Sequence, residues 1–201
     1  MKTFKQHITD SVGFRDFRGI AYHGSGSRFS EFKQSEARVV NDFYGGGVAY
    51  FTDNLKVAIT YAKSMAKKKQ KDPLVYTVNL NIKKLFDVDY VYTGKDLINI
   101  LPDDLDKFAR GAGLMGLNVD KYKVLSSLES GAIKLSGEKV FAGLSSGMNA
   151  TAKARDYLIS KGYKGLRYNG GVNMGMATKH NVYIAYNAKD ISIKKIQRVK
   201  T

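Results

Sequence analysis

His23-Gly24-Ser25 puts an imidazole, a backbone without a side chain and a hydroxyl on three consecutive residues. Farther on, Gly45-Gly46-Gly47 leads into Val48-Ala49-Tyr50-Phe51-Thr52-Asp53, and Tyr61 stands eleven residues beyond Tyr50. A late stretch runs His180-Asn181-Val182-Tyr183-Ile184-Ala185-Tyr186. There is no cysteine, so a disulfide framework, a thiolate zinc or iron–sulfur centre and a cysteine nucleophile are all excluded. No residue set suggests a metal site. The glycines do not form the G-x-G-x-x-G link between strand and helix that a Rossmann site needs. Each group also has a plain reading on its own: a histidine after a strand is commonly a turn or core residue, and the tyrosines read as half-buried aromatics. The three stretches gain meaning together.

These residues need elements to position them. Gly19 to His23 is a short β-prone run that ends in the turn Gly24-Ser25-Gly26, with Phe29 and Phe32 in a polar loop behind it. The triple glycine precedes a second short strand, Val48 to Phe51, and lets it approach another backbone closely. Asp53 or Asn54 suits the N-cap of a helix from Leu55 to Gln70, whose expected buried face is Val57, Tyr61 and Met65 with Ala58 and Ala62 alongside. Leu74, Tyr76, Val78, Leu80 and Ile82 alternate with Val75, Thr77, Asn79 and Asn81, the pattern of a half-buried strand. From Asp87 to Ala150 the pattern weakens, with a helix expected after Asp103. Asn149 suits the cap of a helix through Ser160 closed by Gly162, and Tyr163 to Tyr168 reads as a returning strand. The glycine-rich loop Asn169 to Thr178 then separates two strands, a placement that is often functional. The class expected is α+β. Residues 1–18 form an N-terminal extension, 19–201 one domain, and about 90–148 a variable insertion in it.

Thirty-three Lys plus Arg against eighteen Asp plus Glu leave a net charge of +15 in 201 residues. Such a field favours acidic partners, and the 43% hydrophobic content argues against disorder. Basic residues cluster at Lys63, Lys67, Lys68, Lys69 and Lys71, and again at Lys194, Lys195, Arg198 and Lys200. No apolar run approaches the roughly 18 residues of a membrane span, and the first residues lack the apolar core of a secretory signal. A cytoplasmic protein that does not engage membranes is the expectation.

Taken in order, the three stretches resemble the NAD-binding core of ADP-ribosyltransferases of the diphtheria-toxin and poly(ADP-ribose) polymerase type, including related domains of phage polyvalent proteins. That family has His-Gly-Ser or His-Gly-Thr, then Gly-x-Tyr-Phe-small-Asp with a further Tyr eleven residues on, then a strand whose acid completes a His–Tyr–Glu triad. The resemblance implies split antiparallel β-sheets with flanking helices and a central insertion. It also implies a cytoplasmic setting in a bacterial or phage-infected cell. NAD would serve as substrate, its nicotinamide released and its ADP-ribose passed to a macromolecular acceptor. Breaking the nicotinamide–ribose bond develops charge on the ribose, so catalysis rests on holding NAD bent and stabilising that charge. By the resemblance, His23 bonds the adenosine ribose, the Gly24 backbone pairs with the nicotinamide amide, and Ser25 adds a hydroxyl bond. Tyr61 stacks on the nicotinamide, Tyr50 closes the pocket, and Phe51 completes the cofactor contacts. Stacking of this kind contributes about 0.5–1.5 kcal/mol per contact.

The triad is not intact. Val182 occupies the position of the family's glutamate and Asn181 precedes it. Only Glu31, Glu36, Glu129 and Glu138 occur in the chain. Chain elongation to poly(ADP-ribose) should be lost, and a general-base contribution of about 10²–10⁴-fold with it. Three accounts stand. In some mono-ADP-ribosyltransferases of this family an acidic acceptor supplies the missing carboxylate to an aliphatic position, as Val182 would require. A bulge could turn Asn181 inward, or Glu129 or Glu138 could reach the site. Or the fold is catalytically inactive and binds nucleic acid or an acidic protein through its basic surface. The expectation is a mono-ADP-ribosyltransferase acting on an acidic protein side chain or a nucleic acid, with Asn169 to Thr178 as acceptor loop.

Overall fold

The computed structural model describes residues 15–34, 44–114, 126–127, 130–148, 151–171 and 178–200. Residues 1–14 of the expected extension, Glu36, Glu129, the Asn149 cap and residues 172–177 of the glycine-rich loop lie outside them.

The alternating stretch forms β3 (Leu74–Asp87), to which β1 (Arg15–Ser25) and β8 (Ile191–Arg198) pair antiparallel along opposite edges. The end of β3 pairs in parallel with β6 (Gly165–Gly170), β6 pairs with β7 (His180–Ala185), and β7 with β2 (Ala49–Thr52). A single register pair, Tyr22 with Thr52, joins β2 back to β1. The result is a mixed α/β protein with one large six-stranded sheet. The expected split antiparallel sheets are therefore corrected to one mixed sheet: every pairing is antiparallel except β3–β6, and that parallel contact joins β6 and β7 to β3. β1 begins at Arg15, and Phe17, buried in the core, stacks on Tyr183 at 4.0 Å between ring centroids. Residues 15–18, expected in the extension, thus belong to the sheet.

Strand alternation divides the core. Phe17 and Ala21 of β1, Ala49 and Phe51 of β2, and Tyr183 and Ala185 of β7 join the even-numbered positions of β3 in one cluster inside the circuit of strands. Lys84, at φ +53, inserts an extra residue opposite β1 and donates its N–H to Asp16 at 2.8 Å. This bulge keeps both Ile82 and Leu85 facing inward. The outer face of β6 and β7 presents Leu166 and Ile184 to a second cluster containing Phe108, Phe141, Leu144 and Leu158. That cluster is supplied by α2 (Gly94–Ile98), α3 (Leu105–Gly111), α4 (Gly137–Met148) and α5 (Thr151–Ser160), together with the ribbon β4 (Val91–Thr93) and β5 (Lys134–Ser136). The expected insertion therefore shares its core with the strands. Gly162, at φ +87, ends α5: its N–H reaches Ile159 at 2.9 Å, and that of Tyr163 reaches Leu158 at 3.0 Å. This pair of bonds satisfies the last carbonyls, as the glycine's position predicts. No helix among the described residues is long and apolar enough to cross a membrane.

Candidate functional site

The helix α1 (Leu55–Lys69) begins as the sequence indicates, with Asn54 Oδ1 accepting from the N–H groups of Lys56 (3.0 Å) and Val57 (3.4 Å). Its buried face differs from expectation. Ala58, Ala62 and Ala66 go inward with Val57, while Tyr61 is 40% exposed. The cause is the strand beneath. A Cβ on Gly24 would lie 2.2 Å from the Ala58 carbonyl oxygen and 2.6 Å from the Ala62 nitrogen, and one on Gly26 only 2.7 Å from the Met65 oxygen. Two glycines facing an alanine stripe bring helix and strand into backbone contact, a spacing too small for a tyrosine between them. Tyr61 is held at the rim, its Cβ 3.0 Å from the position a Gly24 side chain would take. Gly24 and Tyr61 are thus adjacent.

His23 points to the opposite face of β1. Its ring lies among Phe32 (5.4 Å between centroids), Phe51 (5.7 Å), Tyr76 (6.0 Å) and Phe29 (6.2 Å). Desolvation in this aromatic setting lowers its pKa to about 4, so the ring is neutral at pH 7. Nδ1 is 2.9 Å from the Tyr50 carbonyl oxygen, which can only accept; Nδ1 therefore carries the proton and Nε2 the lone pair. This bond ties β1 to β2 next to their single register pair. Phe29 and Phe32, read from the sequence as loop residues, form a wall of the imidazole's enclosure. Phe29 also stacks on Tyr76 at 4.2 Å.

Two expected contacts are corrected. Ser25 is buried, and its hydroxyl closes a local turn, donating to the Ser27 carbonyl at 3.0 Å and accepting from the Ser27 N–H at 3.1 Å. It is committed to the backbone instead of being held out for an amide. Phe51 is 1% exposed in the inner core and backs the imidazole, so it does not line an open surface.

Tyr50 alternates with Phe51 and so lies on the outer face, half-buried against the helical cluster. Register places Tyr50 opposite Ile184 and Thr52 opposite Val182. Gly24, Tyr50 and Val182 therefore share one face of the circuit, with Tyr61 over Gly24. Asn181 does not. The β7 register with both neighbours is unbroken, so no bulge turns it inward. Its Oδ1 accepts from Arg167 Nε at 3.0 Å, and its side-chain amide donates to Asp53. Arg167 is the hub of this network. It bonds Asp87 (2.9 Å), Asp89 (3.2 Å) and Asn169 (3.0 Å). Asp87 is 2% exposed, and its charge is balanced by the guanidinium.

Glu138, one of the acids considered for the missing carboxylate, begins α4 and is exposed. Its charge, with that of Asp89, adds to burial in pushing the Tyr44 phenol up to about 12. Tyr44 lies 4.8 Å from the Tyr168 ring, and Tyr168 pairs with Val182. Tyr44, Tyr168, Arg167, Asp87 and Asp89 were not singled out from sequence. The available signal for the hub is an arginine, Arg167, inside the predicted strand Tyr163 to Tyr168. Among the described residues, no group of three or more His, Asp or Glu is placed to hold a metal ion. Searches with protein-family models, among curated proteins and among solved structures return no match to this chain.

Proposed function

We propose that the chain is a mono-ADP-ribosyltransferase that cleaves the nicotinamide–ribose bond of NAD and passes ADP-ribose to an acidic side chain or a nucleic-acid group. The reading rests chiefly on the juxtaposition of Gly24 and Tyr61, with Tyr50 and Val182 on the same face. The missing side chain of Gly24 lets α1 sit directly on β1 and so holds Tyr61 at the rim, where a flat aromatic amide would stack on its ring. Backbone contact between α1 and β1 fixes that tyrosine's distance. His23 lies on the opposite face of β1 among aromatic rings, not beside Gly24 and Tyr61 as the resemblance implied, and its part is to set the Tyr50 carbonyl through Nδ1. Stabilising the oxocarbenium-like ribose is then a matter of orientation and surrounding dipoles. Val182 brings no base, so the acceptor's own carboxylate or phosphate neighbour completes the charge.

The test is incubation of purified protein with NAD and separated protein and nucleic-acid fractions of a bacterial lysate, followed by mass spectrometry. An ADP-ribose adduct together with free nicotinamide, both absent with Tyr61→Ala, is the expected result. Adduct and nicotinamide at background in every fraction would remove the proposal. One observation favours a second reading, binding without turnover: both polar ends of the Asn181 side chain are engaged by Arg167 and Asp53. In that case NAD binds and no nicotinamide appears.

A further inference from the structure

Two lysine clusters far apart in sequence meet on one side of the fold. Val199 packs against Ala58, Ala62 and Val75, and its N–H bonds the Pro73 carbonyl at 2.9 Å. Arg198 pairs with Asp72. The end of β8 is thereby fastened beside α1 and the start of β3. Between Asn54 and Phe86, Asp72 is the only acidic residue, and β8 has none. Along α1, residues 56, 63 and 67 fall within about 40° of one another at 100° per residue and lie about 120° round from the alanine stripe. Lys56, Lys63 and Lys67 are all exposed and span about 16 Å at 1.5 Å per residue.

The sheet beside this ridge is open. On the face of β1, β3 and β8 that carries Gly24, register aligns Tyr22 with Thr77 and Thr77 with Lys195. The next row aligns Ile20, Asn79 and Ser192, and a third aligns Arg18 with Asn81. All of these side chains are exposed or half-buried, Ile20 at 46%.

We propose that the outer face of β1-β3-β8 and the lysine ridge of α1 together form a nucleic-acid-binding surface. The inference is independent of NAD chemistry. Protein interfaces are depleted in lysine at their centres, whereas nucleic-acid interfaces are strongly positive. The amides of Asn79 and Asn81, the hydroxyls of Thr77 and Ser192 and the Tyr22 ring suit sugars, base edges and stacking. A helix lying on a bilayer turns its apolar face to lipid, but the apolar face of α1 is already seated on Gly24 and Gly26.

The test is fluorescence anisotropy without NAD, using a labelled oligonucleotide of about 30 nucleotides, single-stranded and as duplex, over a salt series. Lys56→Gln, Lys63→Gln, Lys67→Gln and Lys195→Gln combined should flatten the log–log salt slope by about 3, at about 0.7–0.9 per phosphate contact. Affinity near 0.1 M salt should fall by about 100-fold or more. The charge-matched control, Lys139→Gln, Lys153→Gln, Lys179→Gln and Lys189→Gln, should bind nearly as the parent. All eight side chains are exposed, and circular dichroism melting checks that both variants stay folded. Equal weakening by both sets would overturn the proposal. So would absence of oligonucleotide binding, displacement by polyglutamate at equal charge concentration, or preferential capture by phosphatidylserine vesicles. Loss of nicotinamide release with oligonucleotide binding intact would sink the transferase reading alone.

Discussion

Gly24→Ala is the most demanding perturbation of the site's geometry. The added methyl would stand 2.2 Å from the Ala58 oxygen and 2.6 Å from the Ala62 nitrogen, whereas ordinary contact begins at 3.4 Å. Both obstacles are helix backbone and cannot rotate away. Helix α1 must retreat by about 1.2 Å. Overpacking costs about 1–3 kcal/mol, and an obstruction by backbone belongs at the upper end. In a protein of this size each kcal/mol corresponds to about 2–4 °C, so the melting temperature should drop by about 5–10 °C. Tyr61 moves with the helix, and a misplacement of about 1 Å can cost a reaction about 10²-fold. Gly19→Ala on the same strand is the comparator. Its Cβ meets only the Phe17 ring edge at 3.3 Å, a side chain able to give way, and a shift under about 2 °C is expected. Scanning calorimetry of the two variants decides. Equal melting temperatures would refute the close seating of α1 on β1 and, with it, the positioning argument for Tyr61.

The remaining predictions concern charge and the site face. His23 has a folded pKa of about 4 against an ordinary 6.5. Its contribution is complete above pH 6.5 and is lost as pH falls from there toward 4, because the unfolded chain takes up the proton first. The ceiling is about 3 kcal/mol, reduced to about 2 by the ring's partial solvent contact; urea melts should show this loss in the parent and not in His23→Ala. Arg167→Met strands the buried carboxylate of Asp87 and should cost about 3–5 kcal/mol in urea unfolding. Asp87→Asn combined with it should recover a large part, and equal instability of the two would argue that the ion pair is not what holds these strands. Tyr61→Ala should change stability by less than about 1 kcal/mol, since the ring is 40% exposed, yet weaken NAD by about 2- to 12-fold through lost stacking and bring turnover to background because the nicotinamide is no longer oriented. Val182→Glu should alter NAD hydrolysis, and unchanged turnover would mean that this position does not face the dinucleotide.

Local chemistry was legible in the sequence where one residue type has one use. The alternation of Leu74 to Ile82 identified β3, and Asn54 and Gly162 marked helix ends that form as their chemistry requires. What escaped were decisions made by partners. Tyr61 has the spacing of a buried position, but the glycines of β1 admit only alanines, so close approach overrode periodicity. Ser25 carries a hydroxyl of the right type, yet a backbone turn two residues away uses it first. The parallel contact between the end of β3 and β6 joins residues about 80 apart, and nothing local to either announces it. Nothing in the strand Tyr163 to Tyr168 distinguishes Arg167 from Lys164 as the charge that finds a buried partner. Its partners Asp87 and Asp89 sit in a segment whose weak pattern hid the fact that it supplies most of the second core cluster.

In the proposed function, Gly24, Tyr50 and Tyr61 hold NAD in a pose from which nicotinamide leaves. The direct measurement is nicotinamide release by the purified chain from NAD labelled in its pyridine ring, with Tyr61→Ala run in parallel. Release above background by the parent, and its loss in the variant at an unchanged melting temperature, is the expected result. Background release by the parent, or equal release by both, would contradict the proposed function.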